Sequence, residues 1–338
     1  MNHKNILIVA FLSIFLTPGF TQNQEDIQTL SIFSEYVKSK NYDAAYTPWM
    51  ELRKRNPRFN KAIFIYGERI LKDKIKKSSG EEKVNFINDM LALWEERAHY
   101  FAAVTPKGTY MAKACQLRYD NRQELGINKV QLHTDFSEAY NSDPQTFTNP
   151  KSLYTYFSLV VDMYDAGNLL AQELFNSYEV VSEKVENEVK NYTNKRNAFL
   201  NEEGATKELS RTDESRLKSY NSYLKAYEQI SSSIDVKLGS RANCENLIAL
   251  YRRDFQTFKN DGLWLQRAMN RMYAKGCNED PLFVKIVEQK NNIEPNADTS
   301  FYLGLLKEKS AQTDEALVFY NQAVNLETDE FAKAKILF

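Results

Sequence analysis

Between residues 298 and 327 the chain reads D-T-S-F-Y-L-G-L-L-K-E-K-S-A-Q-T-D-E-A-L-V-F-Y-N-Q-A-V-N-L-E. Apolar positions recur every three or four residues on both sides of a polar break, which is the period of an amphipathic helix. This predicts two helices joined by a short turn. Leu303, Gly304, Ala316, Tyr320 and Ala323 alternate large and small surfaces for packing one helix on the other. A single pair of this kind cannot bury its apolar face alone, so neighbours are implied.

The same pattern recurs upstream. In residues 29–57, Tyr36, Tyr42, Ala45, Trp49 and Pro57 fall at matching relative positions, with Lys40 and Asn41 at the turn. Pro48 lies inside the second helix, removes a backbone donor and predicts a kink. Residues 58–71 follow, with Ile63, Tyr66, Gly67 and Ile70 on one stripe. The charged, serine-containing stretch 72–83 reads as a linker before a helix over 84–100, giving a pair with a long inner loop. Residues 107–125 and 129–140 form a degenerate pair, 141–150 a polar loop and 153–166 an aromatic helix.

The middle of the chain differs. Tyr178, Val181, Val185, Tyr192 and Phe199, then Leu217, Tyr220, Leu224, Tyr227 and Ile234, make a seam close to a heptad repeat. Thr212 is placed to cap the second segment, with Asp213 and Glu214 favouring its dipole. The expectation is a long antiparallel hairpin of about 30 residues per arm, roughly 45 Å. Repeat-length helices resume at 243–259 and 262–275. Asp280 and Pro281 read as a helix start, and Pro295 as its end. Residues 331–338 begin another amphipathic helix and stop, so the repeats are expected to continue beyond the chain.

Composition adds little contrast. Glycine (11) and proline (8) are scarce, and aromatics make up 13% of the 338 residues. An all-α fold follows from that composition with helical periodicity throughout. Lysine plus arginine (44) nearly equals aspartate plus glutamate (45), so no global field favours nucleic acid or an anionic membrane. The apolar run from Ile6 to Leu16 behind Lys4 reads as a secretory leader with exit after Thr21. It is too short to span a bilayer, no later run is long enough, and no cysteine follows it for lipid attachment. The expected organisation is a leader over 1–21, helix pairs over 22–168, the long hairpin over 169–238 and further repeats over 239–338.

Residues 298–327 and 29–57 resemble tetratricopeptide repeats, the first quite specifically. Most of residues 22–338 resembles secreted tetratricopeptide proteins of Bacteroidetes-type bacteria. The residues behind that are the leader ending before Gln22, the run Tyr42-Asp43-Ala44-Ala45-Tyr46-Thr47-Pro48-Trp49, the Gly67 segment, and Cys244 and Cys277. The resemblance implies an α-α solenoid scaffold in the periplasm or on the cell surface, with no catalytic residues and no cofactor. Peptide-binding repeats of this type clamp a terminal carboxylate with Lys, Asn and Arg on their inner helices. Here the equivalent sites are Leu30, Ser34, Phe301 and Leu305, so that clamp is missing and an apolar partner surface is expected instead.

Other chemistry is thin. Cys244 and Cys277 lie 33 residues apart, close to one repeat, and an oxidising compartment permits a bridge. Neighbouring helix axes about 8–10 Å apart strain the roughly 7 Å limit between bridged Cα atoms, so two buried thiols remain the alternative. Cys115 reads as a packed small residue. His99 and His133 lack helical partners for a metal or a triad. The expected function is a non-enzymatic scaffold binding an envelope protein through its concave face or its hairpin. The alternatives are a docking arm for a catalytic domain beyond residue 338, and a chaperone holding extended clients.

Overall fold

The computed structural model describes residues 18–200, 209–328 and Lys333. The expected leader at 1–21 lies almost wholly outside these residues, and the helix expected over 331–338 lies outside them apart from Lys333. The described residues form fourteen α-helices, in two compact units, residues 1–147 and 148–338.

The first unit holds α1 (Pro18–Lys38), α2 (Tyr42–Arg55), α3 (Ala62–Lys77), α4 (Gly80–Tyr100), α5 (Lys107–Asp120) and α6 (Lys129–Ser142). Helices pair in order, α1 with α2, α3 with α4, α5 with α6, and α3 also packs on α1 and α2. Phe33, Trp49, Ile63, Phe64, Ile70 and Trp94 lie in its main core. The α2 helix runs unbroken through Pro48.

Two of the expected loops differ in this unit. The stretch expected as a linker at 72–83 is mostly helix, and only residues 78 and 79 separate α3 from α4. Its charges stabilise the helix rather than dissolve it. Lys72 pairs with Glu68 at 2.7 Å and Lys77 with Asp73 at 2.7 Å, both one turn apart, while Ile75 packs on the core. The polar loop expected over 141–150 is also not merely polar. Phe147 is fully buried, and the Gly108 N–H donates to Asp143 Oδ2 and Thr146 Oγ1, both at 2.9 Å. The loop thereby caps the start of α5.

The second unit holds α7 (Pro150–Asp165), α8 (Ala171–Asn197), α9 (Arg211–Leu238), α10 (Cys244–Phe258), α11 (Gly262–Ala274), α12 (Pro281–Ile293), α13 (Ala297–Lys309) and α14 (Thr313–Leu326). The long hairpin is α8 and α9, of 27 and 28 residues, about 40 Å per arm at the usual helical rise. The α7 helix, grouped from sequence with the N-terminal pairs, packs on both α8 and α9. Its apolar residues nearly encircle it, so it needs cover on more than one side. The cap of α9 is Ser210, not Thr212. The Ser210 hydroxyl accepts from the Asp213 N–H at 3.2 Å, with Asp213 and Glu214 in the first turn.

Turn chemistry repeats along the chain. After α1, the Asn41 N–H donates to the Tyr36 carbonyl and the Lys40 N–H to Val37. After α13, Gln312 and Ala311 make the same two bonds to Lys307 and Glu308. This six-to-one closure puts one residue in the left-handed region. Gly276 occupies that position after α11, whereas Lys40 (φ 60°) and Ala311 (φ 59°) occupy it after α1 and α13.

Candidate interaction surfaces

In the first unit, Ala45 and Trp49 are fully buried and Tyr42 and Pro57 half-buried. The Trp49 indole donates its N–H to the Ile63 carbonyl at 2.8 Å and lies against Gly67. Leu30 is half-buried against the core. Ser34 does not stand on an accessible face as its register implied. It is buried at 8% exposure, because it sits beside Phe33 on the side of α1 that meets its neighbours.

Charges tie the helices of this unit. Arg53 of α2 is buried and bonds Asp89 Oδ1 at 2.6 Å and Glu96 Oε2 at 2.8 Å on α4. Glu68 of α3 accepts from Lys72, from the Trp94 indole at 3.1 Å and from Lys113 at 3.1 Å. Burial alone would raise its carboxyl. The Lys72 hydrogen bond and the Lys113 charge outweigh it and hold the group below the usual carboxylate range.

In the second unit, Leu303, Gly304, Ala316 and Ala323 are buried between α13 and α14. Gly304 faces Tyr320, whose hydroxyl donates to Glu308 at 2.6 Å. Phe301 and Leu305, one turn apart on α13, are half-buried. Phe301 leans on Tyr302 and Tyr320, with centroids 5.7 and 6.0 Å away. On α14, Leu317 and Val318 are exposed. The pair thus fills its own seam and leaves apolar side chains facing outward.

One cluster escaped the sequence reading. Arg267 of α11, 3% exposed, bonds Glu179 at 2.9 Å and Glu186 at 2.7 Å on α8. Glu179 also accepts from Arg271 at 2.9 Å and from the Tyr251 hydroxyl at 3.2 Å. The Arg271 guanidinium lies 4.1 Å over the Tyr178 ring, and the Tyr178 hydroxyl donates to Asp235 at 2.6 Å. Burial pushes the Glu186 carboxyl and the Tyr178 phenol up. The network fastens the long hairpin to the repeat helices that follow it. Its signal in the sequence was an arginine set among Trp264, Leu265, Ala268 and Met272, the buried stripe of α11.

Cys244, first residue of α10, and Cys277, just beyond α11, are joined as a disulfide with Cα atoms 5.3 Å apart. Both sit at helix ends, where neighbouring chains approach more closely than helix axes do. Cys115 is free and buried, and burial pushes its thiol up to about 12. Among the described residues no group of three or more His, Cys, Asp and Glu side chains is placed to hold a metal, and no helix is long and apolar enough to cross a membrane.

No protein-family model matches the chain, and no curated protein matches it. Among solved structures, it is similar to a tetratricopeptide repeat protein from Parabacteroides merdae. That match is 10% identical, covers 93% of this chain and 98% of the other, and has a TM-score of 0.31.

Proposed function

We propose that this protein is a non-enzymatic, exported scaffold that binds another protein through apolar positions on its repeat helices. The observation that carries this reading is the α13–α14 pair. Its small residues let the helices close on each other, yet Phe301 and Leu305 stay half-buried and Leu317 and Val318 exposed. Apolar anchors spaced along a helix are what a groove-binding or helix-packing partner uses. The absence of Lys, Asn and Arg at residues 301 and 305 favours an apolar partner surface over a charged peptide tail. The apolar run from Ile6 to Leu16 supports export, which also suits the disulfide.

The test uses the full chain expressed in its native host and cross-linked mildly in the envelope. A stoichiometric protein partner should be recovered, and Phe301→Ala with Leu305→Ala should lose it while the far-ultraviolet circular dichroism keeps its helical form. Recovery of the protein alone overturns the reading. Export is checked separately by the mass of the mature N-terminus, expected to begin at Gln22.

A further inference from the structure

Along the long hairpin, rings from the two arms meet. Tyr192 of α8 and Tyr223 of α9 lie stacked, with centroids 4.7 Å apart and planes 15° from parallel. Tyr223 is 40% exposed and Tyr192 half-buried. An oxidant in solution can therefore reach one ring of the pair directly, and the second ring lies against the first.

Neighbouring tyrosine pairs lack one feature or the other. Tyr192 meets Tyr220 and Tyr227 at 5.8 and 5.9 Å, with planes tilted by 53° and 31°. Tyr227 is fully buried, and its hydroxyl donates to the Thr148 carbonyl, which holds the ring in place. Tyr273 and Tyr302 come as close, at 4.6 Å, but are tilted by 48°. Tyr302 is also buried and lies edge-on to Phe283. Close approach, near-parallel planes and an exposed ring coincide at Tyr192 and Tyr223.

Stacking is the geometry in which two tyrosyl radicals couple. The unpaired electron of such a radical is shared with the ring carbons beside the hydroxyl, in an orbital perpendicular to the ring. A bond between two such carbons therefore forms along the stacking direction. We propose that Tyr192 and Tyr223 are an oxidative cross-linking site, joined carbon to carbon as dityrosine by a one-electron oxidant that draws on peroxide, and that the bond staples the two arms of the hairpin. Burial pushes the Tyr192 phenol up to about 12, so at neutral pH the neutral phenol is oxidised and loses its proton with its electron. Each phenol gives up one electron and its hydroxyl proton. The two radicals join through one ring carbon each. The proton on each of those carbons then moves to the phenolic oxygen and restores the aromatic ring. Two electrons and two protons leave in total, and one peroxide takes them up to become two waters. The rings must swing apart as they regain planarity, and the exposed Tyr223 has room to turn. The site lies apart from Phe301 and Leu305 and does not depend on the protein-binding reading.

Treating the full chain with a haem peroxidase and hydrogen peroxide at neutral pH tests it. The expected product runs as a monomer on a denaturing gel, is lighter by two hydrogen atoms and shows the blue fluorescence of dityrosine. Its tryptic digest should contain peptide 191–195 joined to peptide 219–225, with fragmentation placing the bond on Tyr223 rather than Tyr220. Tyr192→Phe and Tyr223→Phe should each lose the fluorescence of the monomer band, whereas Tyr220→Phe and Tyr273→Phe should keep it. Circular dichroism checks that all four variants fold. The cross-linked protein should also melt at a higher temperature than equally treated Tyr223→Phe, because a closed loop restricts the unfolded chain. Absence of dityrosine, coupling only between molecules, a bond on Tyr220 or Tyr302, fluorescence that survives either of the first two substitutions, or no gain in melting temperature overturns the proposal.

Discussion

The indole of Trp49 lies so close to the backbone of α3 at Gly67 that a methyl on residue 67 would stand 2.6 Å from Cζ2 and 2.7 Å from Nε1. The ring has no room to yield, because it is fully buried and its N–H is spent on Ile63. Gly67→Ala is expected to destabilise the first unit by about 1–3 kcal/mol, as overpacking does, despite the better helix propensity of alanine. Chemical denaturation followed by tryptophan fluorescence measures it; a neutral or stabilising effect would show that α2 and α3 do not meet here.

Ala311 makes the opposite case. It holds φ 59° at the turn after α13, a region that costs an L-residue roughly 1–2 kcal/mol. Ala311→Gly is therefore expected to raise stability by about 0.5–1 kcal/mol once the greater freedom of unfolded glycine is subtracted. A lowered melting temperature would count against the left-handed closure.

Arg267 should be among the costliest side chains to remove from the second unit. Its loss leaves Glu186 without its guanidinium and Glu179 with only Arg271 and Tyr251. Breaking a buried pair from one side costs about 3–5 kcal/mol, and Arg267→Met is expected in that range. Adding Glu186→Gln should recover part of the loss, since an amide needs no counter-charge. A double mutant more damaged than the single one would mean that the pair is not coupled.

Acid should weaken the first unit through Glu68. Its folded carboxyl is held below the ordinary value, so its stabilisation is complete above the unfolded value, about 4.3. It is lost as pH falls through the folded one. Glu68→Gln should cut stability at neutral pH and flatten the acid limb below about pH 4.5. The check is a set of urea transitions from pH 7 to pH 3 on both proteins, and parallel curves would rule out this linkage.

The Cys244–Cys277 bridge closes a loop of 33 residues. Chain-entropy reasoning puts its effect at about 3–4 kcal/mol on the unfolded state. Reduction, or Cys277→Ser, is expected to lower the melting temperature of the second unit, and unreduced peptide mass spectrometry checks that the bridge forms. Cys115, with its thiol raised to about 12, should resist iodoacetamide in the folded protein at pH 8 and react on unfolding.

The spacing of apolar residues by itself determined that the fold is all-α. It also determined where most helices lie and which small residues sit in the α13–α14 seam, because a 3.6-residue stripe and a Gly or Ala at a close crossing are local facts of the sequence. The Asp280–Pro281 start and the acidic first turn of α9 were legible for the same reason. Ends fixed by side-chain pairs were not. The charged residues 72–77 read as linker until Glu68, Asp73 and the core packing of Ile75 made them helix.

Only the tertiary structure decided which residues meet across long separations. It turned Ser34 inward, placed α7 against the long hairpin, buried Phe147 in a loop of polar composition, set Arg267 between Glu179 and Glu186, and stacked Tyr192 on Tyr223. The physical reason is that such contacts join positions tens of residues apart. Periodicity gives each helix a buried face, whereas the partner of that face depends on how the helices stack.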